Sequence, residues 1–179
     1  TTTETTTFAQ LRNAAADAAV AMISVPVTIL FTSMIEVTRT LEIVGASSEV
    51  ALRDAGTPLE RLFLVTGGAR LRIESLHLLN NESSLSFDPC SMTVALPSID
   101  CAGPVIYAYK ARVELIGCTV RDTVGGYRNA GLMLVGATGR VINCTFTRLE
   151  AEYSPAIYLY YPLMASSVIV ESSVFHDNV

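Results

Sequence analysis

The sequence predicts an all-β solenoid with three short strands per coil and about five coils, closed at its N-terminal end by an amphipathic helix. Three observations predict it. A cassette of strand, small or amide residue, and second strand recurs at 71–78, 113–120, 141–146 and 168–175, with a looser copy at 41–45 followed by 50–52. The bend residues Gly45, Ser75, Gly117, Asn143 and Ser172 are spaced by 30, 42, 26 and 29 positions, the period range of stacked supersecondary units. A third set of short apolar runs, 28–31, 62–65, 105–109, 132–135 and 157–160, precedes each bend by about a dozen residues.

Residues 1–7, six Thr and one Glu, read as a solvated low-complexity lead-in. Thr7-Phe8-Ala9-Gln10 fits a capping box, in which the hydroxyl and the amide satisfy the first backbone donors. Phe8, Leu11, Ala15 and Met22 then recur at helical spacing, while Arg12, Asn13 and Asp17 fall off that face. The expectation is a capping helix over 8–24 that plugs the first coil. From residue 25 to 179 strands take over. Gly and Asn tolerate left-handed backbone and Ser bonds locally, which suits all three to a recurring corner. The 42-residue spacing exceeds its neighbours and predicts a loop insertion at about 82–104. The chain reaches Val179 directly after a rung, which predicts a piece of a longer protein or an end that docks on a partner. An antiparallel sandwich with frequent turns is the alternative fold.

The stretches 142–146 and 170–178 resemble the rung signature of right-handed parallel β-helices, the pectin-lyase-like superfamily, which includes autotransporter passengers and surface-protein repeats. The likeness covers roughly residues 25 to 179. It implies a helix-capped triangular prism of three parallel sheets, and it implies little about activity, because this scaffold hosts both enzymes and inert stalks. Enzymatic members carry calcium-binding acids with a basic residue, or clustered Asp, on one outward face. The strands preceding each bend have no outward carboxylate here, so no catalytic residue, metal or cofactor is expected.

With Ile106, Ala108, Leu132, Leu134, Ile157 and Leu159 inward, alternation sends Tyr107, Tyr109, Met133, Val135, Tyr158 and Tyr160 outward. Phe63 and Val65 are expected to extend this face into an earlier coil. An aromatic stripe of this kind reads as a protein-docking surface. The stripe could instead be covered by the chain's own insertion, or serve as a glycan platform with rings stacked on sugars.

The composition narrows the field further. A net charge of −5 with 12 basic residues argues against nucleic acid. The uncharged run 18–35 contains Pro26 and β-branched residues, so it reads as helix end plus strand and no membrane span is expected. Cys90 and Cys101 bracket the insertion and are expected to form a disulfide. The sequons at Asn81 and Asn143 point the same way, to an extracellular or cell-surface glycoprotein. Cys118 and Cys144 share one rung position with Leu76 and Ser173, which predicts stacked inward free thiols, with an inter-rung disulfide as the alternative, and the C-x-x-C pairs of a zinc site are missing. Asp54, Asn80, Asp122, Arg148 and Asp177 are expected to line a solvated turn edge, and His77 and His176 to lie at the surface. The expected function is therefore a non-enzymatic structural or adhesive β-helix segment that docks a protein partner or a neighbouring domain. A carbohydrate-binding or polysaccharide-lyase-like domain, with catalytic residues outside the segment, is the alternative.

Overall fold

Alternating burial along short strands builds three parallel sheets in a computed structural model that describes residues 1–56, 59, 61–80, 104–124, 131–151, 154–160 and 165–179. A leading strand β1 (Thr2–Glu4) and helix α1 (Phe8–Ala16) precede the coils. The first coil is β2 (Met22–Val25), β3 (Ile29–Phe31) and β4 (Ile35–Val37). The second is β5 (Leu41–Gly45), β6 (Ala51–Asp54) and β7 (Phe63–Val65), and the third β8 (Arg70–Glu74), β9 (His77–Leu79) and β10 (Ile106–Tyr109). Then come β11 (Arg112–Ile116), β12 (Thr119–Val124) and β13 (Leu132–Val135), followed by β14 (Thr138–Ile142), β15 (Thr145–Glu150) and β16 (Ile157–Tyr160). The last strands are β17 (Ser167–Glu171) and β18 (Val174–His176). From β2 onward every third strand is a lateral neighbour, and β1 joins at one edge: β1-β2-β5-β8-β11-β14-β17, β3-β6-β9-β12-β15-β18 and β4-β7-β10-β13-β16. This is a parallel β-helix with three strands per coil.

Stacking in register turns the strand alternation into columns. Leu41, Leu71, Val113, Gly139 and Val168 form one inward column, and Ile23, Ile43, Ile73, Leu115, Val141 and Val170 the next. Rings also meet along the interior: Phe146 stacks on Phe175 in register at 5.0 Å, whereas Phe31 meets Phe63 of a different sheet edge-on at 5.4 Å and Phe8 of the helix tilted at 5.0 Å. Gly139 sits in its column because a Cβ there would lie 2.7 Å from Leu134 Cδ1.

The corners follow the sequence reading. Ser75, Gly117, Asn143 and Ser172 all have φ between 50° and 59°, one left-handed residue above another. Gly45 occupies the equivalent place for a different reason: it has no positive φ, and a Cβ would lie 2.2 Å from the Ser75 carbonyl oxygen. A second left-handed column, Asp122, Arg148 and Asp177, bends the other sheet edge.

The N-terminal expectations need three corrections. The capping box on Thr7 and Gln10 is present, but the helix ends at Ala16 rather than residue 24. Asp17 is already extended, and Arg39 terminates the helix by donating to the Ala14 and Ala15 carbonyls at 2.9 and 3.1 Å. Met22–Val25 is released as a strand because Ile23 and Val25 are both needed in the core, which adds a sixth coil. Second, the strand at 29–31 pairs with β6, and it is β4 that belongs with the strands preceding the bends. Third, the Thr-rich lead-in is not all solvated: β1 pairs with β2 and covers its edge, as suits a β-branched run. Leu11, Ala14 and Ala15 are buried against the first coil, so the helix closes that end. No described helix is long and apolar enough to cross a membrane.

Candidate interaction surface

The outward side of the β4-β7-β10-β13-β16 sheet carries a second apolar cluster, separate from the interior. Leu64, Tyr107, Met133 and Val135 are its buried members, and Tyr109, Tyr158 and Tyr160 pack against them half-buried. Register places Leu64, Tyr107, Met133 and Tyr158 in one column, and Tyr109, Val135 and Tyr160 in the next. The expected stripe therefore exists, with two corrections. Phe63 and Val65 are not part of it: they align with Ile106 and Ala108 and lie in the interior core, while Leu64 takes the outward place. The cause is an irregularity before β7, where the Val105 carbonyl accepts from both Leu62 N–H and Phe63 N–H. The uniformly apolar run Leu62-Phe63-Leu64-Val65 offers no alternation by which to read the offset.

The second correction concerns availability. Tyr107 is 2% exposed and Met133 equally buried, so the middle of the stripe is already covered within the chain. The Arg61 guanidinium, itself buried, lies 5.1 Å from the centre of the Tyr107 ring. Tyr158 and Tyr160, 6.2 Å apart, remain partly open at the last coil.

Charges on the outward side of the β8-β11-β14 sheet are spent on one another. Glu114 accepts from Arg70 and Arg112 at 2.7 Å each, Arg72 bridges Glu42 and Glu74 at 3.2 and 2.7 Å, and Arg140 reaches Glu171 at 3.2 Å. Burial alone would raise the Glu114 pKa, but the hydrogen bond from Arg70 and the two guanidinium charges outweigh it and hold the carboxyl below its ordinary value. A depressed folded-state pKa contributes stability above the unfolded value, about 4.3, that is lost as pH falls through the folded value. Glu114→Gln is expected to cost roughly 1–3 kcal/mol at pH 7, with the gap to the parent chain narrowing in acid below about pH 4. Urea titrations at pH 7 and pH 3 check this; a gap independent of pH would mean that the carboxylate charge is not what matters.

The predicted turn edge is mixed. Asp122 and Arg148 pair across coils, Nη2 to Oδ2 at 2.9 Å, and Asp177 is exposed, as expected of solvated turns. Asp54 and Asn80 are instead buried, Asp54 accepting from Gly56 N–H and Asn80 donating to the Leu59 carbonyl at 3.0 Å. His176 is exposed beside Asp177 at 2.8 Å. His77 is half-buried and accepts from Arg121 Nε at 3.2 Å; burial, then the Arg121 charge, lowers its pKa.

Cys118 and Cys144 are buried free thiols. Their column does hydrogen-bonding work: Cys144 Sγ accepts from Cys118 N–H at 3.4 Å, and Ser173 Oγ accepts from Cys144 N–H at 3.1 Å. Each side chain thus satisfies a corner N–H of the coil before it. The hydrogen bond shared with Cys144, together with burial, pushes the Cys118 thiol up and keeps it protonated. Asn143 is exposed at its corner. Asn81, Cys90 and Cys101 lie outside the described residues, and no group of three or more His, Cys, Asp or Glu that could hold a metal occurs among those described.

The last coil differs from the one before it, as the sequence reading expected in general without naming the residues. Leu159, Val170 and Phe175 are 40%, 42% and 43% exposed, whereas Leu134, Val141 and Phe146, their partners one coil earlier, are fully buried. The signal was present only as position, because these side chains follow the same inward pattern as every other rung. No family model and no curated protein matches the chain.

Proposed function

We propose that the chain is a non-enzymatic structural or adhesive β-helix segment, working at the cell surface or outside the cell, that docks protein through the outward tyrosine face of the β4-β7-β10-β13-β16 sheet, of which Tyr158 and Tyr160 are the open part. On this reading it is a member of the pectin-lyase-like superfamily that has kept the scaffold without the chemistry. The observation that supports it most is the outward cluster itself, an apolar and aromatic sheet face on which Tyr109, Tyr158 and Tyr160 are left partly open. A second support is the state of the outward acids. Glu42, Glu74, Glu114 and Glu171 are tied to arginines at 2.7–3.2 Å, and the sheet on which lyase-like members carry their acids has one outward carboxylate, Glu36 on its first strand, in a column continued by Leu64, Tyr107, Met133 and Tyr158.

The test of the non-enzymatic part is direct. Incubation with a panel of acidic polysaccharides and calcium, followed by ultraviolet absorbance of unsaturated products and by reducing-end release, is expected to give no turnover. Appearance of either product would replace this reading with a carbohydrate-active one.

A further inference from the structure

We infer that Cys118 and Cys144 form a peroxide-sensitive dithiol, whose oxidation staples the fourth coil to the fifth by a disulfide inside the prism. The site is separate from the tyrosine face and does not depend on any partner docked there.

Register brings the pair together. Ile116 aligns with Ile142 and Thr119 with Thr145, and two residues lie between them in each coil, so Cys118 sits directly over Cys144. Neighbouring parallel strands run about 4.8 Å apart, inside the roughly 4.4–6.8 Å Cα separation that a disulfide spans. The Cys144 side chain also points along the stack, its Sγ reaching back to accept from Cys118 N–H at 3.4 Å. Its sulfur therefore lies against the neighbouring cysteine. Leu76 and Ser173 hold the same position in the coils on either side, so among the described residues each thiol has one possible partner.

Electrostatics divides the roles of the two sulfurs. The Cys118 thiol hydrogen-bonds to Cys144, which holds the Cys144 pKa down against the opposing effect of burial, and the same bond together with burial pushes Cys118 up. Cys144 is thus the thiolate and nucleophile, and Cys118 keeps its proton. Both residues are 1% exposed, yet each follows an exposed corner, Gly117 or Asn143, by one position. Only an oxidant close to water in size reaches such a sulfur, and hydrogen peroxide meets that limit.

The Cys144 sulfur attacks one peroxide oxygen and the O–O bond breaks, leaving a sulfenic acid on Cys144 and a hydroxide that takes up the proton Cys144 gave to solvent. The Cys118 sulfur then attacks the Cys144 sulfur. The S–S bond forms as the S–O bond breaks, and the Cys118 proton leaves with that oxygen as water. Two thiols lose two electrons and one peroxide becomes two waters.

Peptide mapping tests this. Trypsin cleaves after Arg72, Lys110, Arg112, Arg121, Arg140 and Arg148, which puts Cys118 in peptide 113–121, Cys144 in 141–148, and both Cys90 and Cys101 in 73–110. The reduced, folded chain is treated with hydrogen peroxide or with glutathione disulfide, remaining thiols are blocked under denaturant, and the non-reduced digest is read by mass spectrometry. Peroxide is expected to link 113–121 to 141–148, and glutathione disulfide to leave both free. Cysteines that stay free or are separately over-oxidised by peroxide would overturn the dithiol, and linkage by glutathione disulfide as readily as by peroxide would overturn the size-selective site. Cys118→Ser places a hydroxyl where Ser173 already serves in the same column, and should stop at a Cys144 sulfenic acid, trapped by dimedone added with denaturant. Cys144→Ser should leave Cys118 unmodified; oxidation of Cys118 there at the parent rate would overturn the assignment of Cys144 as nucleophile.

Discussion

Phe63→Ala is expected to destabilise the chain by about 3–5 kcal/mol, enough to remove a large share of the stability of a domain this size. Phe63 is fully buried in the second coil, edge-on to Phe31 at 5.4 Å, and Phe31 in turn carries the capping Phe8 at 5.0 Å. Removing the ring breaks the edge-on contact with Phe31, which in turn supports the capping Phe8, and leaves a cavity that parallel strands, locked in register on both sides, cannot close. Chemical denaturation is expected to show a lower midpoint with an unchanged slope. A loss under about 1 kcal/mol would mean that Phe63 faces outward after all, as the apolar run around it first suggests.

The contrast between Phe63 and its neighbours shows what is legible in such a sequence. The corners were readable because left-handed backbone restricts residue choice, and Ser75, Gly117, Asn143 and Ser172 all prove to have it. The sheets were readable because a column needs the same alternation in every coil. Where alternation fails, as in Leu62-Phe63-Leu64-Val65, inward and outward cannot be told apart without the partner strand. The first coil was hidden for a related reason. Ala18 to Met22 continues the helical spacing, and only the packing demand of Ile23 and Val25, together with Arg39 closing the helix, ends α1 at Ala16.

The candidate surface was legible by half. Periodicity assigned Tyr107, Tyr109, Met133, Tyr158 and Tyr160 to the outside of the prism, and they do lie there as a cluster distinct from the interior. Periodicity says nothing of what lies on top, so Tyr107 and Met133 read as free when they are covered. Leu159, Val170 and Phe175 obey the inward rule of every rung, so the sequence foresaw their exposure only in general, as the open edge of a last coil.

Tyr107→Ser should therefore behave as a core substitution, costing about 3 kcal/mol or more, although the side chain sits outside the coil. The ring fills the column between Leu64 and Met133, and it lies 5.1 Å from a guanidinium that is itself out of water. Serine would leave a gap on both sides and take away the π face against which that cation is packed, and a buried charge is costly wherever its surroundings lose polar or quadrupolar contacts. Tyr160→Ser supplies the comparison within the same cluster. That ring is half-buried at the last coil, with one neighbouring coil instead of two, so its loss should cost about 1 kcal/mol or less. Thermal melts of the two variants side by side decide between the two faces of the stripe. Equal and small losses would mean that the middle of the stripe is open to solvent and available to a partner, whereas a large loss at Tyr107 alone leaves Tyr158 and Tyr160 as the part of the stripe a partner could reach.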